Sequence, residues 1–288
     1  MANLKEIRIR ITSVESTKQI TSAMKLVAAS KLKRAQDAIT TMRPYAEKLG
    51  EILQDISSGN STDDNVYGEQ RDEEKVLLVP ISSNRGLCGA FNANVIKRCS
   101  LLLDTDYKSQ NASNNVHFFT VGKKVTEFFT KHGHTVIASH DDIWDNLEWR
   151  NAQLIAEDLL KHFKEGEYDR IDLVYNEFVN AATQKLNAEQ FLPVVENSVE
   201  GESNKDYIME PSSDVIIGEL IPKTLKTQFY KALLDSLASE HGARMTAMHQ
   251  ATDNADALVK DLKLTYNKAR QTAITNEIIE IVSGADAM

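Results

Sequence analysis

"KEIRIRITSVESTKQITSAMKLVAASKLKRAQ", residues 5–36, holds neither glycine nor proline, and its apolar positions recur at steps of three and four. Extended along the chain, the stripe reads Ile7, Ile11, Val14, Thr17, Thr21, Met24, Ala28, Leu32, Ala35, Ile39, Met42, Ala46, Leu49, Leu53 and Ile56. Fourteen steps over 49 residues give a mean period of 3.5, the spacing of a coiled coil rather than of a straight amphipathic helix. Such a helix would be roughly 80 Å long at ~1.5 Å per residue. Alone it would leave its stripe wet, so it needs a partner. Pro44 removes one backbone donor and is expected to bend it.

The far end of the chain supplies the partner. From Lys223 to Ser283 there is one glycine, Gly242, and no proline. Apolar positions recur at Leu225, Phe229, Leu233 and Leu237, then at Met248, Ala251, Ala255, Leu258, Leu262 and Ala269. The alanines permit close approach of two helices. Thr17 and Thr21 in the first stripe suggest an adjustable seam rather than a dry one. The last stretch, "YNKARQTAITNEIIEIVSGADAM" (266–288), keeps helix formers almost to its end, where chains usually loosen. Arg270, Gln271 and Thr275 stand there beside an apolar stripe.

Between the arms the pattern changes. "KVLLVPIS" (75–82), "VHFFTV" (116–121), "TVIAS" (135–139) and "RIDLVYNEFV" (170–179) are rich in β-branched or aromatic residues and read as strands. "FLPVV" (191–195) is expected to add one more. Helical stretches fall near 91–104, 123–132 and 151–164. Apolar strands separated by helices imply a mostly parallel sheet covered on both faces. The fold class is therefore α/β: a Rossmann-like domain inserted into a long antiparallel coiled coil of N- and C-terminal helices. The expected divisions are 1–57, 75–200 and 213–288, with polar joints at "SSGNSTDDN" (57–65) and "SVEGESNKD" (198–206).

The formal charge of −9 is unevenly spread. Residues 1–48 carry ten Lys/Arg against four Asp/Glu, and residues 213–288 carry eight against ten. A basic arm on an acidic body calls for an anionic partner. Nucleic acid fits on charge alone, but Tyr45 is the arm's sole aromatic residue, which removes the means of stacking on bases. No nucleic-acid partner is expected. No apolar run approaches the length of a membrane span. Cys88 and Cys99 cannot form a disulfide framework, and both are expected to be buried thiols in a reducing compartment.

An α/β middle raises the prospect of a nucleotide or catalytic site. "SSNRGLCGAFN" (82–92) follows the first strand, where a phosphate loop would belong. With Gly86 and Gly89 alone it is neither a dinucleotide fingerprint nor a P-loop, and it reads as a tight turn from strand to helix. Cys88 has no sequence-local histidine to activate it. His132, His134 and His140 lack metal-site spacing, and "SHDDIWD" (139–145) reads as capping acids at a helix start. Neither catalytic residues, metal nor cofactor are expected. A small-molecule enzyme on the α/β middle and a basic module for nucleic acid are the rival readings. Neither explains two ends built as one helical hairpin.

Residues 5–36, "ASEHGARMTAMHQATDNADALVKDLKLTYNKARQTAITNEIIEIVSG" (238–284) and "SNRGLCGAFN" (83–92) together resemble the gamma subunit of F-type ATP synthases, the ends closely and the middle loosely. The resemblance implies a non-catalytic central rotor. Its helical pair would stand inside the ring of alpha and beta subunits, with its α/β domain against epsilon and the membrane ring of c subunits. It implies contacts to the alpha/beta ring through Met24, Arg244, Arg270, Gln271 and Thr275. Tyr207 and Glu210, in "YIMEP", would lie on the c-ring or epsilon side. Lys25, Lys31, Lys33 and Arg34 are further candidates for acidic beta-subunit surfaces, or else a solvated basic face. The dithiol insertion of chloroplast forms is absent, so thiol control of rotation is not expected. With no signal or transit peptide at the start, a bacterial enzyme is expected, peripheral on the cytoplasmic face of the plasma membrane.

Overall fold

The computed structural model describes residues 4–57, 66–194 and 213–286. Two compact units emerge: Met1–Ala29 with Arg244–Met288, and Ser30–Ala243. Two long helices, α1 (Leu4–Ser57) and α6 (Ser213–Asp286), each contribute to both units. Pro44 lies inside α1 and Pro222 inside α6, and neither ends its helix.

The larger unit is built on a five-stranded sheet. Its strands are β1 (Val76–Pro80), β2 (Val116–Thr120), β3 (Val136–Ser139), β4 (Arg170–Phe178) and β5 (Gln184–Leu192). Between them run α2 (Phe91–Asp104), α3 (Lys108–Ala112), α4 (Lys123–Lys131) and α5 (Trp149–Lys164). The order across the sheet is β3-β2-β1-β4-β5, parallel except for the β4–β5 edge pair. Central β1 is buried along its whole length, which accounts for its unbroken apolar run. Side chains alternate across a strand. Leu77, Val79 and Ile81 accordingly join one core with α5 and with Ile221, Leu225, Phe229 and Leu233 of α6. Val76 and Leu78 join the other core with α2 and α4.

Two elements depart from the sequence reading. The fifth strand occupies Gln184–Leu192, so "FLPVV" overlaps it by its first two residues only. Its sequence, QKLNAEQFL, is polar because it is a half-exposed edge strand. Helix α3 is five residues long, too short to show a period. The polar joints at 58–65 and 198–206 lie outside the described residues.

In the smaller unit α1 and α6 lie antiparallel. Lys263 Nζ donates to Glu15 Oε1 at 2.7 Å, Lys18 pairs with Asp256, and the hydroxyls of Thr21 and Thr252 meet at 2.8 Å. Ile7, Ala28, Met248, Ala255 and Val259 are buried along this seam. The sequence stripe is corrected at two places. Leu258 is 47% exposed while Val259 takes its place inside. Thr17 is exposed and bonds back to the Ser13 carbonyl at 3.0 Å, so Thr21 alone of the two threonines faces the seam.

Candidate functional site

Among the described residues, the end of α6 outruns its partner. Glu15 pairs with Lys263, and α1 begins eleven residues before Glu15. In an antiparallel pair of equal rise, α1 is therefore exhausted about eleven residues beyond Lys263, near Ile274. Every residue from Arg270 to Ala285 is exposed, and α6 remains helical to Asp286. Ile274, Ile278 and Ile281 follow one another on one face, 49%, 55% and 68% exposed. An apolar helical stripe without cover marks a surface for a partner.

Arg270 and Gln271 lead into that stripe, exposed and without a side-chain partner among the described residues. Thr275 Oγ1 donates back to the Gln271 carbonyl at 2.9 Å, the usual recourse of a threonine inside a helix. The three are thus gathered at the start of the bare end. Met24 and Arg244 are half-buried on α1 and α6 of the same unit. Lys25 is half-buried, Lys31 and Arg34 are exposed, and Lys33 is engaged with Asp37 at 2.8 Å. Tyr207 and Glu210 lie outside the described residues.

The seam contains polar contacts that residue patterns alone did not single out. Asp256 accepts hydrogen bonds from Lys18 across the seam and from Lys260 one turn along α6, and these pull its carboxyl down to about 2. Lys18 and Asp256 lie outside the apolar stripes of the sequence. Which charge faces which depended on the register, and the register became known only with the fold.

The strand-to-helix loop is closed on itself. Gly89 and Leu87 adopt φ of 61° and 64° to make the turn. Ser83 N donates to Asn92 Oδ1 at 3.0 Å, Ser83 Oγ donates to the Arg85 carbonyl at 2.7 Å, and Asn92 Nδ2 reaches buried Cys88 Sγ at 3.2 Å. Beside it, a Cβ on Gly122 would meet the Ser82 carbonyl oxygen at 2.1 Å. The loop's polar groups thus bond chiefly within the loop and to the first turn of α2. The three histidines serve as aromatic packing: His132 stacks on Phe128, His134 meets Phe118 edge-on, and His140 tilts over Phe119. The acidic loop differs from its reading as a cap. Asp141 makes no side-chain cap, and its carboxylate accepts from Ser139 Oγ at 2.7 Å.

The family model described as ATP synthase matches residues 3–288. A protein of Flavobacterium johnsoniae named ATP synthase gamma chain is 58% identical over the whole of this chain and 99% of its own. The chain belongs to the ATP synthase gamma family. A gamma chain of Christiangramia forsetii is 55% identical over the same shares of both proteins. Among solved structures, a central stalk/c-ring chain of Tetrahymena thermophila mitochondrial ATP synthase is similar at a TM-score of 0.61 and 26% identity, covering 81% of this chain and 99% of its own. A chain of Euglena gracilis mitochondrial ATP synthase shares the fold at a TM-score of 0.69 and 22% identity, over 99% of this chain and 94% of its own. Family membership spans both helical arms and the sheet between them.

Proposed function

We propose that this gamma-family chain is the central rotor of a proton-translocating ATP synthase, coupling rotation of a membrane ring to the catalytic cycle of the head. It is a subunit of the membrane-associated complex and not the catalytic site itself. The single observation that carries the reading is the unpartnered, chemically patterned end of α6 in a chain of this family. A helix that outruns its own coiled coil by more than a turn, with an apolar stripe and polar groups at its base, requires a surface around it. Alpha and beta subunits would supply that surface. The α/β body would meet epsilon and the c-ring, with Tyr207 and Glu210 on that side. The same reading divides the chain by role at 1–57, 75–200 and 213–288, and puts the complex at the cytoplasmic face of a bacterial plasma membrane.

Within it, Arg270, Gln271 and Thr275 read the head at the tip, and Met24 and Arg244 read it lower on the two helices. The test is the double change Arg270→Ala, Gln271→Ala in the assembled complex. Alanine is well tolerated at exposed helical positions, so stability should shift by no more than ~0.5 kcal/mol. Charge-assisted hydrogen bonds to the head would be lost, each worth roughly 1.5–3 kcal/mol. They affect turnover only if they differ between rotor angles. The expected result is a lower ATPase rate and weaker ATP-driven proton pumping at normal subunit content. Wild-type values for both would remove these two residues from the coupling surface.

A further inference from the structure

The larger unit holds a polar cluster, buried except at half-exposed Arg43, in an unusual place. In doubly wound sheets the ligand crevice lies beyond the carboxyl ends of the strands, where neighbouring crossovers turn opposite ways. Here that point falls between β1 and β4. Pro80 at the end of β1 pairs with Val174, so Asn176–Phe178 of β4 project past it. The chain fills this crevice with its own long helices. Ser239 Oγ of α6 donates to the Asn176 carbonyl at 3.0 Å. Asn176 Nδ2 donates in turn to the Phe91 carbonyl at the start of α2, at 3.4 Å. Arg43 of α1 donates through one nitrogen to the Phe178 carbonyl at 3.3 Å and to Asp235 Oδ1 of α6 at 3.4 Å. Gly242 lets α6 pass the β4–β5 turn, where a Cβ would lie 3.2 Å from Ala181 Cα.

The preceding turns of α6, from Ile221 to Leu233, pack apolar side chains against the sheet, and the run of buried polar groups begins at Asp235. Asp235 and Ser239 are wholly buried, and the second carboxylate oxygen of Asp235 has no hydrogen-bond partner among the described residues. Burying such a carboxylate is costly, and its best-attested benefit is a fixed register. Apolar ridges can slide or turn past one another to a similar packing. Directional bonds cannot, because one residue of rotation turns a helix by about 100° and carries every donor away from its acceptor.

We propose that Arg43, Asn176, Asp235 and Ser239 form a keyed joint through which the α/β body grips both long helices and passes torque to them. The joint uses the fold's ligand crevice as a socket for the helices. This rests on the rotor reading above and assigns it a place in the molecule.

The experiment uses the complete complex reconstituted in vesicles, measuring ATP hydrolysis and ATP-driven proton pumping together. Arg43→Met keeps the stem but removes both directional bonds, and Ser239→Ala removes one with little change of volume. The joint predicts a severalfold loss of protons pumped per ATP for Arg43→Met and a smaller loss for Ser239→Ala, while hydrolysis continues. Arg43→Lys, which retains the charge opposite Asp235, should recover part of the ratio. A purely structural role would lower the amount of assembled complex and leave the ratio alone. A wild-type ratio in both Arg43→Met and Ser239→Ala overturns the joint. Absence of coupling with the wild-type chain itself would instead overturn the rotor reading.

Discussion

Asp256 shows how much one residue contributes to the helical pair. It is the acceptor for Lys18 across the seam and for Lys260 along its own helix, and its carboxyl is lowered from 3.8 to about 2. A carboxylate lowered on folding adds stability at every pH above its unfolded value and loses it as pH falls through its folded one. The contribution is therefore complete above pH 4 or so and vanishes toward pH 2, and it is small because the groups are partly exposed and screened by salt. An NMR titration of the Asp256 side chain should give a midpoint well below 3.8, and a midpoint at 3.8 would show that the cross-seam pair does not persist in solution. Asp172 is the opposite case. It is 4% exposed inside β4, and burial raises its carboxyl against the pull of Tyr107 and Arg170. Arg170 Nε donates to it at 3.0 Å and the Tyr107 hydroxyl donates from the far side. Asp172→Ala should cost about 1–3 kcal/mol, because the buried Tyr107 hydroxyl loses its acceptor while Arg170 keeps Glu73 at 2.6 Å. Denaturant unfolding gives the value, and a loss below ~1 kcal/mol would mean the triad is not formed. In the sequence, Asp172 is one of two acids, with Glu177, in a largely apolar strand. Its partner Tyr107 lies 65 residues away, and local pattern could not connect them.

The elements were legible in proportion to their periodicity. The stripe of α1 and the β-branched runs of β1, β2 and β4 announce themselves, because burial on a fixed face or on both faces leaves an apolar rhythm. Edge strand β5 carries no such rhythm, since it pairs on one side only and is half-exposed along most of its length. The seam of α6 was misread at Leu258 and Val259 for a related reason: alanine-rich helices present several faces that bury equally well in principle. Within α6, Phe229 is wholly buried against Phe191 and the sheet. Phe229→Ala should destabilise the chain by about 3–5 kcal/mol. Leu264→Ala, on a side chain 63% exposed, should change the isolated chain by within ~0.5 kcal/mol. Equal losses at the two positions in thermal or denaturant melts would contradict the packing of α6.

At the scale of the molecule, function was legible only through the resemblance. Composition excluded a membrane span and a disulfide scaffold, and the loop at 82–92 offered no phosphate-binding signature. Those exclusions do not name a rotor. Arg270, Gln271 and Thr275 could be picked out because polar residues beside an apolar stripe are conspicuous at a chain end. Arg43 and Asp235 could not, because each sits in a helix of many charges and their meeting depends on how α1 and α6 cross the sheet. Fixing the catalytic head to a surface and watching the rotor turn tests the central claim most directly. Both native cysteines are buried, so Lys131→Cys, at an exposed position ending α4, gives an accessible thiol for a bead or fluorophore. With ATP, the probe should turn continuously in one direction at a rate matched to hydrolysis. A probe that stays still while the immobilised complex hydrolyses ATP would contradict the rotor.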